Sequence, residues 1–363
     1  MSTSARRFLT LNGARYVGAA STAAPAPAAS APPTPAAAPV LAPKVQQAEN
    51  GPPSALWKAR YRWFVLGTAF IHGLTMILIL VLGLSKDWPV RLCASYSSWQ
   101  PANPALPCMA AGTNGTAANI CTVVTRYKRV GNLSPIGLLA AFCGLSAAFQ
   151  GVPALFNRTW AMYLTYLEQC QQPLRWAEYS LSSSLMVAII MVLNGNTDFW
   201  IYLGAVGLNW ATMLFGLMHE KLLFTQSELE RQNAGYKFAL VEKTLAHWVG
   251  WVAFSLVWLL LVAQFTWSIE DAANTSAAAG HSFPKWVTAI IWTQFLLFLT
   301  FGLNQLAATR AQLGGLKWVK WSYRKSEVTY TVLSLAAKQL LVWLLYFGTT
   351  MRNPKTLLVN SPC

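Results

Sequence analysis

A chain of 363 residues that is 55% hydrophobic and only 11% charged, with a mean hydropathy of +0.38, departs from soluble domains, in which roughly 25% of residues are charged. The formal net charge of +15 would suit nucleic acid, but the basic residues sit in short loops beside apolar runs. Nucleic-acid binding is therefore excluded and a multi-pass, all-α membrane protein is expected.

Residues 1–54 are rich in Ala, Pro, Ser and Thr, with Arg6, Arg7 and Arg15 and no acid before Glu49. Such a segment cannot build a core and reads as a disordered tail or as an organellar transit peptide. Seven apolar runs follow at about 61–84, 134–156, 172–194, 198–218, 244–268, 285–308 and 327–351. Each is close to the ~20 residues that cross a ~30 Å hydrocarbon layer as a helix. Helix alone pairs every backbone group within such a run, so 55–351 is expected to form one seven-helix bundle ahead of a short tail at 352–363. Lys58, Arg60 and Arg62 before the first run, and Arg310, Lys317, Lys320, Arg324 and Lys325 before the last, place the N-terminus in the cytoplasm. Lys221, Arg231, Lys237 and Lys243 agree, whereas Arg126, Lys128 and Arg129, in a long loop, oppose.

That loop, 85–133, is long enough to have its own structure and falls outside the cell in this topology. It carries an Asn114 sequon and Cys93, Cys108 and Cys121. Either two of the cysteines pair, most simply Cys108 with Cys121, or they are free thiols.

Two residues break the apolar pattern. Lys338 lies near the centre of the uncharged run Val328–Met351, and Glu178 is the acid at comparable depth, in Arg175-Trp176-Ala177-Glu178-Tyr179-Ser180-Leu181-Ser182-Ser183-Ser184. A charge in hydrocarbon costs at least ~2.5–3.5 kcal/mol, so each demands a partner and a reason. At ~1.5 Å per residue Glu178 falls roughly 25 Å below Asn194, and the Lys338 α-carbon roughly 18 Å below Thr350. The lysine stem leans toward its own N-terminus and closes that offset, with Ser334 one turn away on the same face. The bland account is an ion pair that fixes helix register; the sharp one is a protonated Schiff base and its counterion.

The segments Glu178-Tyr179-Ser180-Leu181-Ser182-Ser183-Ser184 and Leu333-Ser334-Leu335-Ala336-Ala337-Lys338, with Trp343 beyond, resemble the heliorhodopsins, seven-helix retinal proteins of inverted topology. The resemblance covers about 57–351 and takes in Gly144-Leu145-Ser146-Ala147 and the stretch from Asn209 through Phe215-Gly216 to Glu220-Lys221. It implies a microbial-rhodopsin-like fold in which Lys338 binds all-trans retinal covalently as a Schiff base, with Glu178 as counterion and Ser146 and Ser334 hydrogen-bonding around that pair. Asn209 joins the cofactor-binding set, and His72 belongs to a polar network on the inner side. A homodimer is also implied. Where the family often carries a second inner histidine this chain has Gln150, which cannot take up a proton.

Met213, Trp258, Phe298 and Phe301 are candidate pocket walls, because flat polyenes are bound by aromatic and soft side chains. Removing Glu178 is expected to loosen the proton on the imine nitrogen and to move the absorption. His219 and Glu220 read as a solvated helix end, and His247 and His281 as ordinary interfacial residues. No metal-ligand spacing or nucleophile-and-base arrangement stands out, and Ser182, Ser183 and Ser184 read as small polar packing residues, so an enzyme is not expected. Three functions remain: a light sensor acting through an unidentified signalling partner, light-gated or light-driven proton movement along His72, Glu178, Gln150 and Glu220, or a retinal binder without a light role or carrier of another apolar ligand. The cell membrane or an organellar membrane would be the site of action.

Overall fold

The computed structural model describes residues 53–87, 89–101, 121–233, 235–276, 284–314 and 321–350; the expected tails at 1–54 and 352–363 lie almost wholly outside them. Helix α1 (Ala55–Gly83) starts where the Ser54 hydroxyl accepts from the Trp57 amide, satisfying one of the orphan donors of a helix start. A 3-10 turn at Leu84–Lys86 leads to strands β1 (Val90–Pro101) and β2 (Cys121–Leu133). Ser134 caps α2 (Pro135–Leu155), whose first residue is a proline, the place where a missing amide does no harm. The remaining helices are α3 (Asn157–Glu168), α4 (Pro173–Leu193), α5 (Phe199–Gln232, capped by Asp198), α6 (Leu240–Ser276), α7 (Lys285–Gln312) and α8 (Tyr323–Thr350).

Among these eight described helices, α1, α2, α4, α5, α6, α7 and α8 are long and apolar enough to cross a membrane. Sequential neighbours pack side by side from α1 through α2, α4, α5, α6 and α7 to α8, which returns to α1 and α2 and closes the bundle. Helix α4 runs through the interior: every residue from Met186 to Val192 is buried. Facing it, Leu261, Ile290, Ile291, Leu341, Val342 and Leu345 complete an apolar half of the core.

Helix α3 was not expected: its amphipathic sequence buries Trp160, Tyr163 and Leu167 against the bundle. Helix α5 runs to Gln232 rather than ending near 218. Hydropathy marks where a helix leaves lipid, not where it stops; no glycine or proline interrupts 217–232. The extension is tied to α6 by a 2.8 Å pair between Lys243 and Glu230.

The long loop does have structure of its own. β1 and β2 pair antiparallel from Val90 opposite Leu133 to Pro101 opposite Cys121, with a bulge at Leu92 and Cys93. The Cys93 amide donates to the Thr197 carbonyl at 2.8 Å, and the Trp200 indole donates to the Ser95 carbonyl at 2.8 Å, so the ribbon is moored to the start of α5. Cys93 is buried and disulfide-bonded, not a free thiol. Cys108 and Asn114 lie outside the described residues, and with them the expected Cys108–Cys121 bridge.

Candidate functional site

Two polar stripes face each other inside the bundle. On α8, Glu327, Thr331, Ser334 and Lys338 recur at spacings of four, three and four, which keeps them on one helical face; on α4, Arg175, Glu178 and Ser182 do the same. The stripes join at two levels. Lys338 Nζ donates to Glu178 Oε1 at 2.7 Å and to Ser334 Oγ at 2.8 Å, a charge-assisted pair with both residues 3% exposed. The Phe142 and Tyr179 rings lie 5.4 and 5.6 Å from the same nitrogen, and their electron-rich faces favour a cation there. Nearer the N-terminus of α8, Arg175 bridges Glu327 and Glu220.

Beside Lys338 a mostly apolar cavity opens between α4, α5, α6, α7 and α8. Its walls are Trp176, Tyr179, Met213, Trp251, Phe254, Phe298 and Phe301, while Ser334 and Lys338 line it from α8. Two glycines shape it. A Cβ at Gly216 would run into the Trp176 ring, and one at Gly302 would meet Trp251 at 2.6 Å, so each indole fills the space that a side chain at that position would need. The far wall is fixed by a chain of bonds: the Trp251 indole donates to His247 Nε2 at 2.9 Å, His247 Nδ1 meets Gln305 Oε1 at 3.1 Å, and Gln305 Nε2 donates to the Gly216 carbonyl at 3.0 Å. Because Nε2 accepts, Nδ1 carries the hydrogen and the ring is neutral.

Of the residues expected to surround the cofactor, Ser334, Met213, Phe298 and Phe301 line this cavity with Lys338. Trp258 does not; it is buried one layer behind, against Phe295 and Phe298, and the wall tryptophans are instead Trp176 and Trp251. Asn209 also stands back, its amide donating to Ser183 Oγ at 2.6 Å and Ser184 Oγ at 3.3 Å. Ser146 is buried, but its hydroxyl donates to the Phe142 carbonyl at 3.4 Å and is not bonded to the Lys338–Glu178 pair. His72 is fully buried with neither ring nitrogen hydrogen-bonded among the described residues.

The polar series is rearranged as well. Gln150 accepts from Thr68 at 2.9 Å and shares a second, smaller cavity with Glu178, Arg175, Tyr163, Glu327 and Thr331. Glu220 is not a solvated helix end: it is buried, accepts from Arg175 and takes the Gln172 amide at 3.0 Å. His219 is buried too, 2.7 Å from the Thr309 hydroxyl, and His247 lines the aromatic cavity rather than an interface. His281 lies outside the described residues. Arg175, Glu327 and Tyr163 went unrecognised in the sequence. The signal for Glu327 in the sequence is its eleven-residue separation from Lys338, which puts the two on one helical face.

Seven apolar helices enclosing an aromatic slot, with a buried lysine against a single carboxylate at its edge, define a retinal-binding membrane protein of the rhodopsin class. The chain belongs to the heliorhodopsin family, whose model matches residues 61–350; it is a light-responsive, integral multi-pass membrane protein rather than a classical enzyme. No curated protein matches it. Among solved structures, a light-driven proton pump LR (Mac) from Leptosphaeria maculans aligns at 12% identity over 81% of this chain and 95% of that one, with a TM-score of 0.42, a likeness too distant to carry an inference about activity. The slot suits retinal on its own chemistry: it is mostly apolar, walled by indoles seated on Gly216 and Gly302, and has its amine in the lining.

Proposed function

We propose that this protein is a light sensor in which Lys338 holds all-trans retinal covalently through Nζ as a Schiff base and Glu178 is the counterion. The observation that carries the reading is the 2.7 Å bond between Lys338 Nζ and Glu178 Oε1 at the wall of the aromatic cavity. Retinal supplies visible absorption and a double bond that isomerises. The chain's own residues do the rest. Glu178 keeps a positive charge on Nζ by its proximity, and Ser334 orients that nitrogen from one turn below. Trp176, Trp251, Phe298 and Phe301 exclude water and confine a flat polyene. A change of shape in the slot presses on Trp176 and Trp251, and through Gly216 and Gly302 on α5 and α7.

Proton transport through the whole bundle is the weaker reading. Beyond the Lys338 level the interior is mainly apolar, from Met186–Val192 of α4 to Leu341, Val342 and Leu345 of α8, and its polar groups there, Gln294 and the bonded cluster of Thr75, Gln339 and Trp343, are amides, a hydroxyl and an indole with no carboxylate or histidine among them. In the sensor reading the N-terminus is cytoplasmic, because Lys58, Arg60 and Arg62 precede α1, and the output is exerted on a separate partner by a homodimer. Voltage-clamp recording under illumination separates the two functions: silence at every applied potential is expected, and a photocurrent abolished by Glu178→Gln would overturn the sensor.

A further inference from the structure

We infer that Glu327 is the final acceptor of the proton that light releases at Lys338 Nζ, receiving it from Glu178 through the cavity that both carboxylates line. The inference rests on the proposed role of Lys338 and Glu178 and adds a destination for the proton.

Five residues that are charged in their ordinary state are buried in the described bundle, Arg175 and Lys338 against Glu178, Glu220 and Glu327. Two cations cannot neutralise three carboxylates, and an unbalanced charge in a medium of low dielectric is unfavourable. The imbalance is local to Arg175, which is shared by Glu220 and Glu327, while Lys338 and Glu178 balance each other. A proton placed on Glu327 leaves Arg175 paired with Glu220 alone, and the unpaired negative charge passes to Glu178, which borders the second cavity and its polar groups.

Geometry selects Glu327 over Glu220. Glu327 lines the second cavity with Glu178, whereas Glu220 does not and is bonded to Arg175 and the Gln172 amide away from it. The cavity sets the polar groups of Gln150, Thr331 and Tyr163 beside apolar Val65, Phe149 and Leu174, and has room for about one or two waters. Glu327 lies eleven residues, about 16 Å of helical rise, from Lys338, too far for direct transfer and within reach of a relay by Glu178 and water. Gln150, at the cavity wall, cannot intercept the proton, and His72 lines neither cavity.

The groups facing Glu327 are Arg175 of α4, Tyr163 of α3 and, one hydroxyl further, Tyr61 of α1. Tyr163 donates to Glu327 Oε1 at 2.8 Å, and its hydroxyl lies 3.0 Å from that of Tyr61. The step balances: the proton that Glu178 has taken from Nζ leaves its carboxyl, Glu327 gains one, and Glu178 returns to the carboxylate form.

The test is light-minus-dark infrared spectroscopy of full-length, retinal-loaded protein carrying carboxyl-labelled glutamate. A carbonyl band of a newly protonated glutamic acid is expected in the wild type, lost in Glu327→Gln, retained in Glu220→Gln, and shifted in Glu327→Asp, which keeps the acid should the glutamine variant not fold. A band that survives in Glu327→Gln, or that disappears only in Glu220→Gln, overturns the assignment, as does a wild type with no such band. Retinal-free protein gives a second readout: acidification should shift the Tyr163 ring C–O stretch, and the shift should vanish in Glu327→Gln; an unchanged shift in that variant counts against Glu327. Wild type without a visible pigment would instead defeat the Lys338 and Glu178 reading on which the inference rests.

Discussion

At Lys338 one nitrogen carries a hydroxyl, a carboxylate and two aromatic faces within reach. If that nitrogen forms the imine, Lys338→Ala purified with all-trans retinal shows no red-shifted band, while circular dichroism stays helical; a visible band in the variant refutes the attachment. Glu178→Gln removes the balancing charge yet keeps the side chain's shape, so pigment should form with its absorption maximum displaced and its proton lost at less alkaline pH, measurable by titration of the visible band. Depth alone made these two residues legible in the sequence, since an ionisable group in the middle of an apolar run is conspicuous. Arg175, Glu327 and Glu220 were not legible as a unit. Charges near the ends of a span read as solvated flanks, and only the seating of α3 over that end of the bundle, with Tyr163 on Glu327, removes them from water. Ser146 and Trp258 illustrate the converse: helical spacing assigns a face but not which neighbour fills it.

The helices depend on glycine at two contacts. Gly302→Ala drives a methyl into Trp251, with a nearest approach of 2.6 Å, and overpacking of this kind costs about 1–3 kcal/mol. A displaced absorption band and a lower melting temperature are expected. Gly204→Ala is the control: nothing lies within 4 Å of its added Cβ, so it should be neutral or raise the melting temperature through helix propensity alone. Arg175→Gln strands two carboxylates in the interior and should destabilise the fold by roughly 3–5 kcal/mol, read by chemical denaturation. Adding Glu327→Gln to that variant should restore part of the loss. Element identity was largely present in the sequence, because runs of ~20 apolar residues admit no other paired backbone. Element length was not, since α5 continues past its apolar stretch on ordinary helix formers.

For the molecule as a whole, the ribbon β1–β2 is joined to the bundle by Cys93, Ser95 and the start of α5, while the aromatic cavity draws on none of these residues. Reductant should therefore lower the melting temperature, as loss of a disulfide generally does by about 2–5 kcal/mol, and leave the visible band in place. A spectral change on reduction would show that ribbon and cavity are coupled.

Helix α5 spans 34 residues, about 51 Å at its helical rise, against the ~30 Å that lipid requires. Gly216, which seats a cavity tryptophan, is sixteen residues from the terminal Gln232. That stretch is a lever arm of about 24 Å, on which a ~5° tilt at the glycine swings the tip by about 2 Å. Mechanical gain of this kind lets a sub-ångström nudge deep in the bilayer be felt in the surrounding water.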